Sequence, residues 1–369
     1  MKLTAIDLFS GCGGFSVGFK NANFSISKAV EYDNSIANIY KINHPNSSLI
    51  INDIGNVANK LCFSDGEADV IIGGPPCQGF SMAGSRIRKN SFIDDPRNYL
   101  FKQYLKVVQI IKPKVFIIEN VKGILSMKHG DIFREIIRVF SDEKNFGGEK
   151  YYVHFKKITA LDYGIPQKRE RIIIIGQRKI DFDFEGRLKK AKSIVSTKYP
   201  FFFDKVTIRD AIGNLPNPTE DGIINNPIPK TKYQEFLHCN SNIIENHTKK
   251  ILKEKTISRI MKIKPGENFR VLNENIKSIH SGSYGRLCWD GVAPTITTRF
   301  DTPSGGSFTH PIKNRTITPR EAARIQSFPD DFIFRGSNSV ICRTIGNAVP
   351  PKIAYIFAIM IKEMIKNGC

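Results

Sequence analysis

The 369-residue chain lacks the cysteine spacing of a disulfide-stabilised or zinc-binding protein. It contains seven cysteines, which is an odd number, and no two of them form a CxxC pair. They are Cys12, Cys62, Cys77, Cys239, Cys288, Cys342 and Cys369. Disulfide frameworks and structural zinc sites normally show paired, regularly spaced cysteines. The sequence therefore predicts no metal site and no disulfide framework.

Long hydrophobic runs are also missing. The longest apolar stretch, Ile353–Ile361 with its neighbours, is too short to span a bilayer. The first residues, MKLTAIDLFSGCGG, enter a strand-like run at once, so we expect no signal peptide. No internal repeat and no low-complexity tail are present. We therefore expect no membrane contact and a reducing, cytoplasmic environment.

Acidic residues are scarce relative to basic ones. Lys and Arg number 55 against 35 Asp and Glu, which gives a formal net charge of +20. Such an excess favours a polyanionic partner, because basic side chains on a nucleic acid release condensed counterions. A generic basic protein would show the same balance, so charge alone does not decide between the two.

Short apolar runs alternate with helical patterns in the first half of the chain. Strand-length runs rich in Val and Ile are predicted at 4–9, 26–33, 69–74, 115–121 and 171–176. Helical spacing is found between them, at 15–22, 34–43, 99–112 and 131–141. This alternation predicts an α/β fold with a doubly wound, mainly parallel sheet. Ligands of such sheets bind at the carboxyl ends of the strands.

The composition and the hydrophobic periodicity of the sequence change after about Arg178. The stretch 180–300 shows little regular spacing of hydrophobic residues and contains many Pro, Asn and Lys residues. This composition predicts a second, smaller domain of loops and short strands. A helical pattern is again recognisable at 315–332, where Pro319 marks the start of a predicted helix. The chain then closes with a cap, a Pro pair and a predicted amphipathic helix, GNAVPPKIAYIFAIMIKEMIK.

A glycine-rich loop, Ser10–Gly14, follows the first predicted strand and precedes a helix. Glycines there let the backbone pass close to a ligand. Glu31 ends the next strand, 20 residues after Gly11, where an acidic side chain can accept bonds from ribose hydroxyls. Asp53 ends a third strand and could receive an adenine amino group.

The glycine spacing differs from the dinucleotide fingerprint, because Ser16 stands where its third glycine would be. An adenosine ligand without a pyrophosphate therefore fits better than NAD. An ordinary tight turn with surface acids is the alternative interpretation of the same residues.

A candidate nucleophile lies in GGPPCQGFS (73–81), directly after a predicted strand. Cys77 stands just past the strand's carboxyl end, in a loop restricted by Pro and Gly. A lone cysteine is more often an inert small hydrophobic residue, but the rigid Pro pair before it and the basic loop after it favour a reactive thiol.

Two further segments carry candidate chemistry. Glu119 ends the apolar run VFIIENV, where a partly desolvated carboxyl group could donate a proton; a solvent-facing Glu is the alternative. Arg169 and Arg171 stand at the start of RIIIIG, where a guanidinium suits a base carbonyl or a phosphate; a solvated charge run is the alternative.

In their order along the chain, these segments closely resemble the cytosine-C5 DNA methyltransferase family of bacterial modification systems. The resemblance is carried by DLFSGCGGFS, EYD, GGPPCQGFS, ENV, QKRERIIIIG, TPREAARIQSFPDDF and GNAVPPKIA. It implies S-adenosylmethionine as methyl donor, S-adenosylhomocysteine as product, no metal, double-stranded DNA as substrate, and a bacterial cytoplasmic monomer. A restriction endonuclease of the same system is an implied partner.

The resemblance also implies roles for individual residues. Cys77 resembles the nucleophile that attacks C6 of a flipped-out cytosine, Glu119 the residue that holds N3 and the exocyclic amine, and Arg171 the one that contacts O2. Arg169 joins this catalytic set. The implied cofactor contacts are Phe9, Gly11, Gly13, Glu31, Tyr32, Asp53, Ile54, Pro75, Leu100, Asn347 and Ala348. The implied DNA contacts are Gln78, Ser81, Arg86, Arg88, Lys89 and Arg97, in a loop that could close as a lid.

Domain boundaries follow from the same resemblance. Residues 1–185 with 336–369 correspond to a Rossmann-like cofactor-binding and catalytic domain, 186–314 to a target-recognition domain, and 315–335 to a hinge.

Three other functions compete. An RNA (tRNA) cytosine-C5 methyltransferase would share the catalytic residues, although the large second domain favours duplex DNA. A catalytically silent DNA-binding protein would not require Cys77, Glu119 and Arg171 together. A nicotinamide-dependent oxidoreductase fits the glycine spacing poorly.

Overall fold

The computed structural model describes residues 2–76, 99–274, 276 and 281–366. The strands are β1 (Thr4–Leu8), β2 (Ser25–Glu31), β3 (Ser48–Ile51), β4 (Val70–Gly73), β5 (Val115–Val121), β6 (Tyr151–Thr159), β7 (Gln167–Lys168), β8 (Glu170–Arg178), β9 (Ile224–Asn225), β10 (Ile243–Ile244) and β11 (Ala293–Pro294). The α-helices are α1 (Gly14–Asn21), α2 (Asn34–Asn43), α3 (Ile54–Val57), α4 (Tyr99–Ile111), α5 (Asp131–Ser141), α6 (Phe184–Lys198), α7 (Ile208–Ile212), α8 (Lys232–Leu237), α9 (Glu254–Met261), α10 (Pro319–Ile325), α11 (Asn338–Asn347) and α12 (Pro351–Lys366). Short 3-10 helices lie at Lys122–Leu125, Met127–Gly130, Glu143–Phe146, Ala160–Tyr163, Phe269–Val271 and Pro303–Gly305.

The chain divides into two compact units. The first unit comprises Met1–Ile158, Glu170–Val195 and Ala354–Cys369. The second unit comprises Thr159–Arg169 and Ser196–Ile353. The domain boundaries expected from the resemblance stay predictions.

A seven-stranded sheet organises the first unit, in the order β3-β2-β1-β4-β5-β8-β6. The strands from β3 to β5 are parallel to their neighbours, whereas β8 runs antiparallel to β5. The chain leaves β1 toward β2 and β3, then returns to build β4 and β5 on the other side of β1. The predicted α/β fold with a doubly wound, mainly parallel sheet is confirmed, and β1 and β4 flank the point where strand order reverses, the usual ligand position in such sheets.

Local sequence accounts for most of these elements. The predicted strands and helices of the first half are confirmed to within a few residues. At α10 the predicted start is also confirmed: Pro319 is the first helical residue, and Thr318 and Glu321 form a reciprocal capping box.

Several elements were not predicted, among them β6, α6 and the short helices α7, α8 and α9 of the second unit. The helix α6 lies where we expected loops after Arg178. Its buried residues Phe184, Leu188, Ala191 and Val195 are spaced by four, three and four, which is a helical period that exposed lysines between them obscure.

Aromatic side chains fill the core between the sheet and the helices α4 and α5. Phe116 of β5 packs against Tyr104, Phe140 and Tyr151, with ring centroids 5.0 to 6.3 Å apart. All four side chains are buried. This packing holds the central strands β4 and β5 in place against the two helices.

The last helix, α12, is buried on nearly all sides rather than amphipathic as predicted. In the first unit it lies directly on α1: a Cβ on Gly18 would come within 2.4 Å of the Ala354 Cβ. By length and composition Asn338–Lys366 could cross a membrane, but 83% of its apolar window is buried inside the protein. Such burial is usual for a core helix of a globular protein.

Loops dominate the second unit, as predicted, and buried arginines stabilise them. Arg286 donates hydrogen bonds to the carbonyl oxygens of Ile260, Ile263 and His310. Arg320 and Arg324 are also buried. Because irregular backbone leaves carbonyl groups without sheet or helix partners, such side chains replace the missing hydrogen bonds.

Candidate active site

The glycine loop leaves the carboxyl end of β1 in an unusual conformation. Phe9 has a φ of 57°, Gly11 of 57° and Gly13 of 93°, all in the left-handed region. A bulky residue such as Phe9 rarely adopts this backbone, and such strain concentrates at ligand-binding sites. The amide of Gly13 donates to the Ser10 carbonyl (2.8 Å), which closes the turn before α1.

Glu31, at the end of β2, holds this loop. One carboxylate oxygen accepts the Gly11 amide (2.8 Å) and the other the Asp33 amide (2.9 Å). Burial raises the pKa of the Glu31 carboxyl group, while these amides oppose the rise. Each carboxylate oxygen can accept a second hydrogen bond, so Glu31 can bind ribose hydroxyls without releasing the loop.

The N-terminus of α1 is occupied by a side chain of the protein itself. Asp7 of β1 accepts hydrogen bonds from the Ser16 hydroxyl (2.6 Å) and the Ser16 amide in the first turn of the helix. Burial raises the pKa of Asp7 to about 7. A pyrophosphate bound at this helix N-terminus would compete with the Asp7 carboxyl group for the Ser16 amide. The arrangement supports the predicted adenosine ligand without pyrophosphate.

Ser10, the first residue of the glycine loop, carries a buried hydroxyl group without a hydrogen-bond partner among the described residues. Buried hydroxyl groups are normally paired, so an orphaned one indicates a missing ligand or water. Together with Glu31, it fits the polar end of an amino-acid-bearing nucleoside such as S-adenosylmethionine.

The expected adenine contacts lie at the ends of β2 and β3. Tyr32 is 74% exposed, although a large aromatic side chain is normally covered. Asp53 caps α3 by accepting the Gly55 amide (2.7 Å) and also accepts the Tyr99 hydroxyl (3.3 Å). Ile54 is buried, and Leu100 packs partly buried against the core of the first unit.

Glu119 and Arg171 meet because β8 runs antiparallel to β5. The register pairs Glu119 with Ile173 and Val121 with Arg171, so the start of β8 lies at the end of β5. Arg171 Nε lies 2.8 Å from Glu119 Oε1, and both side chains are largely buried. A guanidinium and a carboxyl group side by side can together contact O2, N3 and the amine of one cytosine.

The segment before Cys77 is tied to the same strand. Asn120 donates from Nδ2 to the Pro75 carbonyl (2.9 Å), and Pro75 is buried. A Cβ on Gly74 would lie 3.5 Å from Glu119 Oε2. The predicted nucleophile and the predicted DNA contacts lie outside the described residues; they are Cys77, Gln78, Ser81, Arg86, Arg88, Lys89 and Arg97.

The remaining predicted residues belong to the second unit. Arg169 is buried and donates to the carbonyl oxygens of Gly346 (3.1 Å) and Ala348 (2.9 Å). Asn347 is exposed between those two carbonyls, and Ala348 is half-buried. Arg169 therefore binds the end of α11, where unpaired carbonyls and the helix dipole favour a cation.

Sequence reasoning missed Asp7, Ser10, Ser16 and Asn120. A weak signal existed for Asp7, which is a carboxylate inside the otherwise apolar run TAIDLF. Asn120 follows Glu119 in the same way, at the end of an apolar strand. Nothing local distinguishes Ser10 or Ser16.

The thiols among the described residues are free: Cys12, Cys62, Cys239, Cys288 and Cys342. Burial raises the pKa of the Cys12 thiol in the glycine loop far above its ordinary value. Among the positions that the structure describes, no three His, Cys, Asp or Glu side chains gather as a metal site requires.

Comparison with known proteins identifies the family. The model of the C-5 cytosine-specific DNA methylase family matches residues 3–363. Type II methyltransferase M.DdeI of Desulfomicrobium norvegicum is 34% identical over 99% of this chain and 90% of its own length. Type II methyltransferase M1.HphI of Haemophilus parahaemolyticus is 33% identical over 100% and 88%. The crystal structure of a prophage-encoded DNA modification methyltransferase from E. coli has a TM-score of 0.74 and 28% identity, and the match covers 99% of both chains. The chain therefore belongs to the C-5 cytosine-specific DNA methylase family and is a DNA (cytosine-5)-methyltransferase.

Proposed function

We propose that this enzyme methylates C5 of a flipped-out cytosine in a specific sequence of double-stranded DNA, through a covalent bond between Cys77 and C6. The observation that carries the proposal is the Glu119–Arg171 pair, 2.8 Å apart at the end of β5, next to the anchored Pro75 that leads to Cys77. Family membership supplies the reaction class and S-adenosylmethionine as the methyl donor.

Cytosine explains why these three side chains are needed together. Its C5 is a weak nucleophile, so methyl transfer to carbon requires that the ring be activated first. Attack of the Cys77 thiolate on C6 forms an S–C bond and moves an electron pair toward C5. Glu119 stabilises the added charge at N3 by proton donation or hydrogen bonding, and Arg171 holds O2.

The later steps regenerate the base and the enzyme. C5 takes the methyl group from the sulfonium of the donor, which leaves as S-adenosylhomocysteine. Loss of the C5 proton then supplies the electron pair that expels Cys77 and restores the aromatic ring. None of these atoms is accessible inside a duplex, so the cytosine must leave the base stack, at a cost of a few kcal/mol.

We assign the methyl donor to the carboxyl ends of β1, β2 and β3. Glu31 would bind the ribose, Asp53 with Ile54 the adenine, and the exposed Tyr32 would cover the ring. The orphaned Ser10 hydroxyl and the backbone around Gly11 and Gly13 would receive the amino-acid end. Phe9, Pro75 and Leu100 complete the proposed contacts of the first unit, and the expected contacts Asn347 and Ala348 stay predictions.

Basic side chains on the second unit support a DNA substrate. The exposed residues of the segment around α9 include Lys249, Lys253, Lys255, Lys262 and Lys264. None of these forms an ion pair with a carboxylate that the structure describes. Lys255 and Ser258 of α9 and its C-cap residue Lys262 are spaced by three and four residues, so they share one exposed face about 10 Å long. Lysines arranged in this way suit the phosphates of a DNA backbone.

The first experiment incubates purified protein with S-adenosylmethionine and unmethylated genomic DNA and maps 5-methylcytosine at single-base resolution. We expect modified cytosines within one short recurring sequence. Matched reactions contain tRNA instead of duplex DNA. Methylation of RNA alone would overturn the proposed substrate, and cofactor binding without any methylation would favour a silent DNA-binding protein.

A second experiment tests the covalent step. In the presence of S-adenosylmethionine, a duplex with 5-fluorocytosine at the target position should form a denaturation-resistant complex, because after methyl transfer fluorine cannot leave C5 as the proton does. Cys77→Ser should bind the duplex yet neither transfer methyl groups nor form this complex. Appreciable turnover by Cys77→Ser would contradict the proposed nucleophile.

We further propose a cytoplasmic monomer that protects DNA from a restriction endonuclease of the same system, since its relatives are named type II methyltransferases. Light scattering during gel filtration tests the monomer. Digestion of methylated and unmethylated DNA by an endonuclease encoded beside the gene tests protection; equal digestion of both would contradict it.

A further inference from the structure

Two side chains of α2 form a floor beneath the glycine loop. Tyr40 lies in the helix and His44 is its C-cap residue, so the two are four residues apart on one face. Their rings stack with centroids 4.3 Å apart, and both are buried. Neither residue lies in a segment that carries the family resemblance.

His44 lies directly against the loop backbone. A Cβ on Gly13 would come within 2.1 Å of His44 Nε2 and 2.9 Å of Tyr40 Cε2. The left-handed φ of Gly13 and this contact both require glycine at the position. The height of the loop above α2 is therefore set by the two rings.

Tyr40 also connects to the other polar groups under the loop. Its hydroxyl lies 2.9 Å from Ser16 Oγ, which in turn donates to Asp7 Oδ2. The chain of contacts thus runs from α2 through the first turn of α1 to the end of β1. These elements flank the loop on both sides.

His44 itself carries no charge beneath the loop, although the Lys20 ammonium lies 3.3 Å from its Nδ1. Burial and the nearby Lys20 lower the pKa of His44 to about 3, so its ring is neutral under ordinary conditions.

We propose that Tyr40 and His44 are positioning residues for the methyl donor: they hold the backbone of the Ser10–Gly14 loop in its ligand-binding shape from below. This inference rests on the proposed binding of S-adenosylmethionine at that loop. The two side chains act through the loop, because Gly13 covers the ring of His44.

The test measures binding of S-adenosylmethionine and S-adenosylhomocysteine to the full-length protein by titration calorimetry without DNA. Tyr40→Phe removes the hydroxyl that contacts the Ser16 and Ser47 side chains and leaves the ring, and we expect about 3- to 10-fold weaker binding. His44→Ala should weaken binding more, and His44→Gln should recover part of the loss. In turnover, KM for the methyl donor should rise, while kcat at saturating donor and KM for DNA stay unchanged.

Tyr151→Phe is the matched control. Tyr151 is equally buried in the first unit, and its hydroxyl donates one hydrogen bond to the Pro113 carbonyl (2.7 Å), remote from the loop along the chain. Both tyrosine variants should lower the unfolding temperature, but only Tyr40→Phe should weaken donor binding. Equal donor affinity in the two variants would overturn the positioning role. If the wild-type protein itself binds no donor, the proposed cofactor site fails and this inference fails with it.

Discussion

Arg171 Nε and Glu119 Oε1 lie 2.8 Å apart in an ion pair. The Arg171 side chain is 13% exposed and the Glu119 side chain 9%. Breaking a buried ion pair leaves an uncompensated charge. Glu119→Gln should therefore destabilise the protein by about 3 kcal/mol and lower kcat by about 10² to 10⁴ through loss of acid catalysis. Urea denaturation and single-turnover methylation measure the two effects.

Glu170→Gln is the control for that variant. Glu170 is the next carboxylate along the chain from Arg171 and pairs with Lys122 and Lys157 in exposed ion pairs, which contribute little. Its substitution should leave both stability and kcat unchanged. Full activity of Glu119→Gln would remove Glu119 from the mechanism.

Arg169 is expected to act on structure rather than on the base. Arg169→Met leaves the Gly346 and Ala348 carbonyls without their guanidinium donor, so we expect a loss of about 2 to 4 kcal/mol in unfolding free energy. Arg169→Lys should recover part of that loss, because a cation at the end of α11 remains. Unchanged stability combined with abolished methyl transfer would instead indicate contact with the reacting base.

Ser10→Ala separates ligand binding from stability. Because the Ser10 hydroxyl has no partner in the described chain, its removal should leave the unfolding free energy unchanged or slightly higher. The affinity for S-adenosylmethionine should fall about 3- to 10-fold. Calorimetry measures the affinity for S-adenosylmethionine, and thermal unfolding measures the stability. Unaltered affinity would show that the hydroxyl does not contact the donor.

Asp7 should make stability depend on pH. Its pKa in the folded protein is about 7, against an ordinary 3.8, so the folded state retains a proton that the unfolded chain releases. The stability from this group is fully present below about pH 4 and is lost as the pH rises through 7. Asp7→Asn cannot ionise, so its unfolding free energy relative to the wild type should increase over this range, by up to about 4 kcal/mol. A pH-independent difference between the two proteins would contradict the assignment.

The lysines on α9 predict a salt dependence. Lys255→Ala combined with Lys262→Ala should weaken binding to any duplex sequence and reduce the slope of log affinity against log salt by about 2, one unit for each phosphate contact. Lys41→Ala with Lys60→Ala, two exposed lysines of the first unit, provides a charge-matched control. If the slope of log affinity against log salt were the same for the two double variants, Lys255 and Lys262 would not contact DNA phosphates.

The two arginines of QKRER show the limit of sequence reasoning. Because both stand at the start of one predicted strand, Arg169 and Arg171 were both predicted to suit a base carbonyl or a phosphate. The structure separates them: β7 ends at Lys168, β8 begins at Glu170, and Arg169 lies between. Arg171 reaches Glu119, whereas Arg169 reaches the end of α11.

The sequence by itself determined the parallel sheet, the glycine loop and the acids at the ends of β2 and β3. These features depend on local periodicity and on the fact that parallel strands end at one edge of a sheet. Only the tertiary structure decided that Asp7 accepts hydrogen bonds from the first turn of α1, that the Ser10 hydroxyl has no partner among the described residues, and that Tyr40 and His44 lie against Gly13. Burial and hydrogen bonding of these groups depend on residues distant in the chain, and no local pattern records which residues those are.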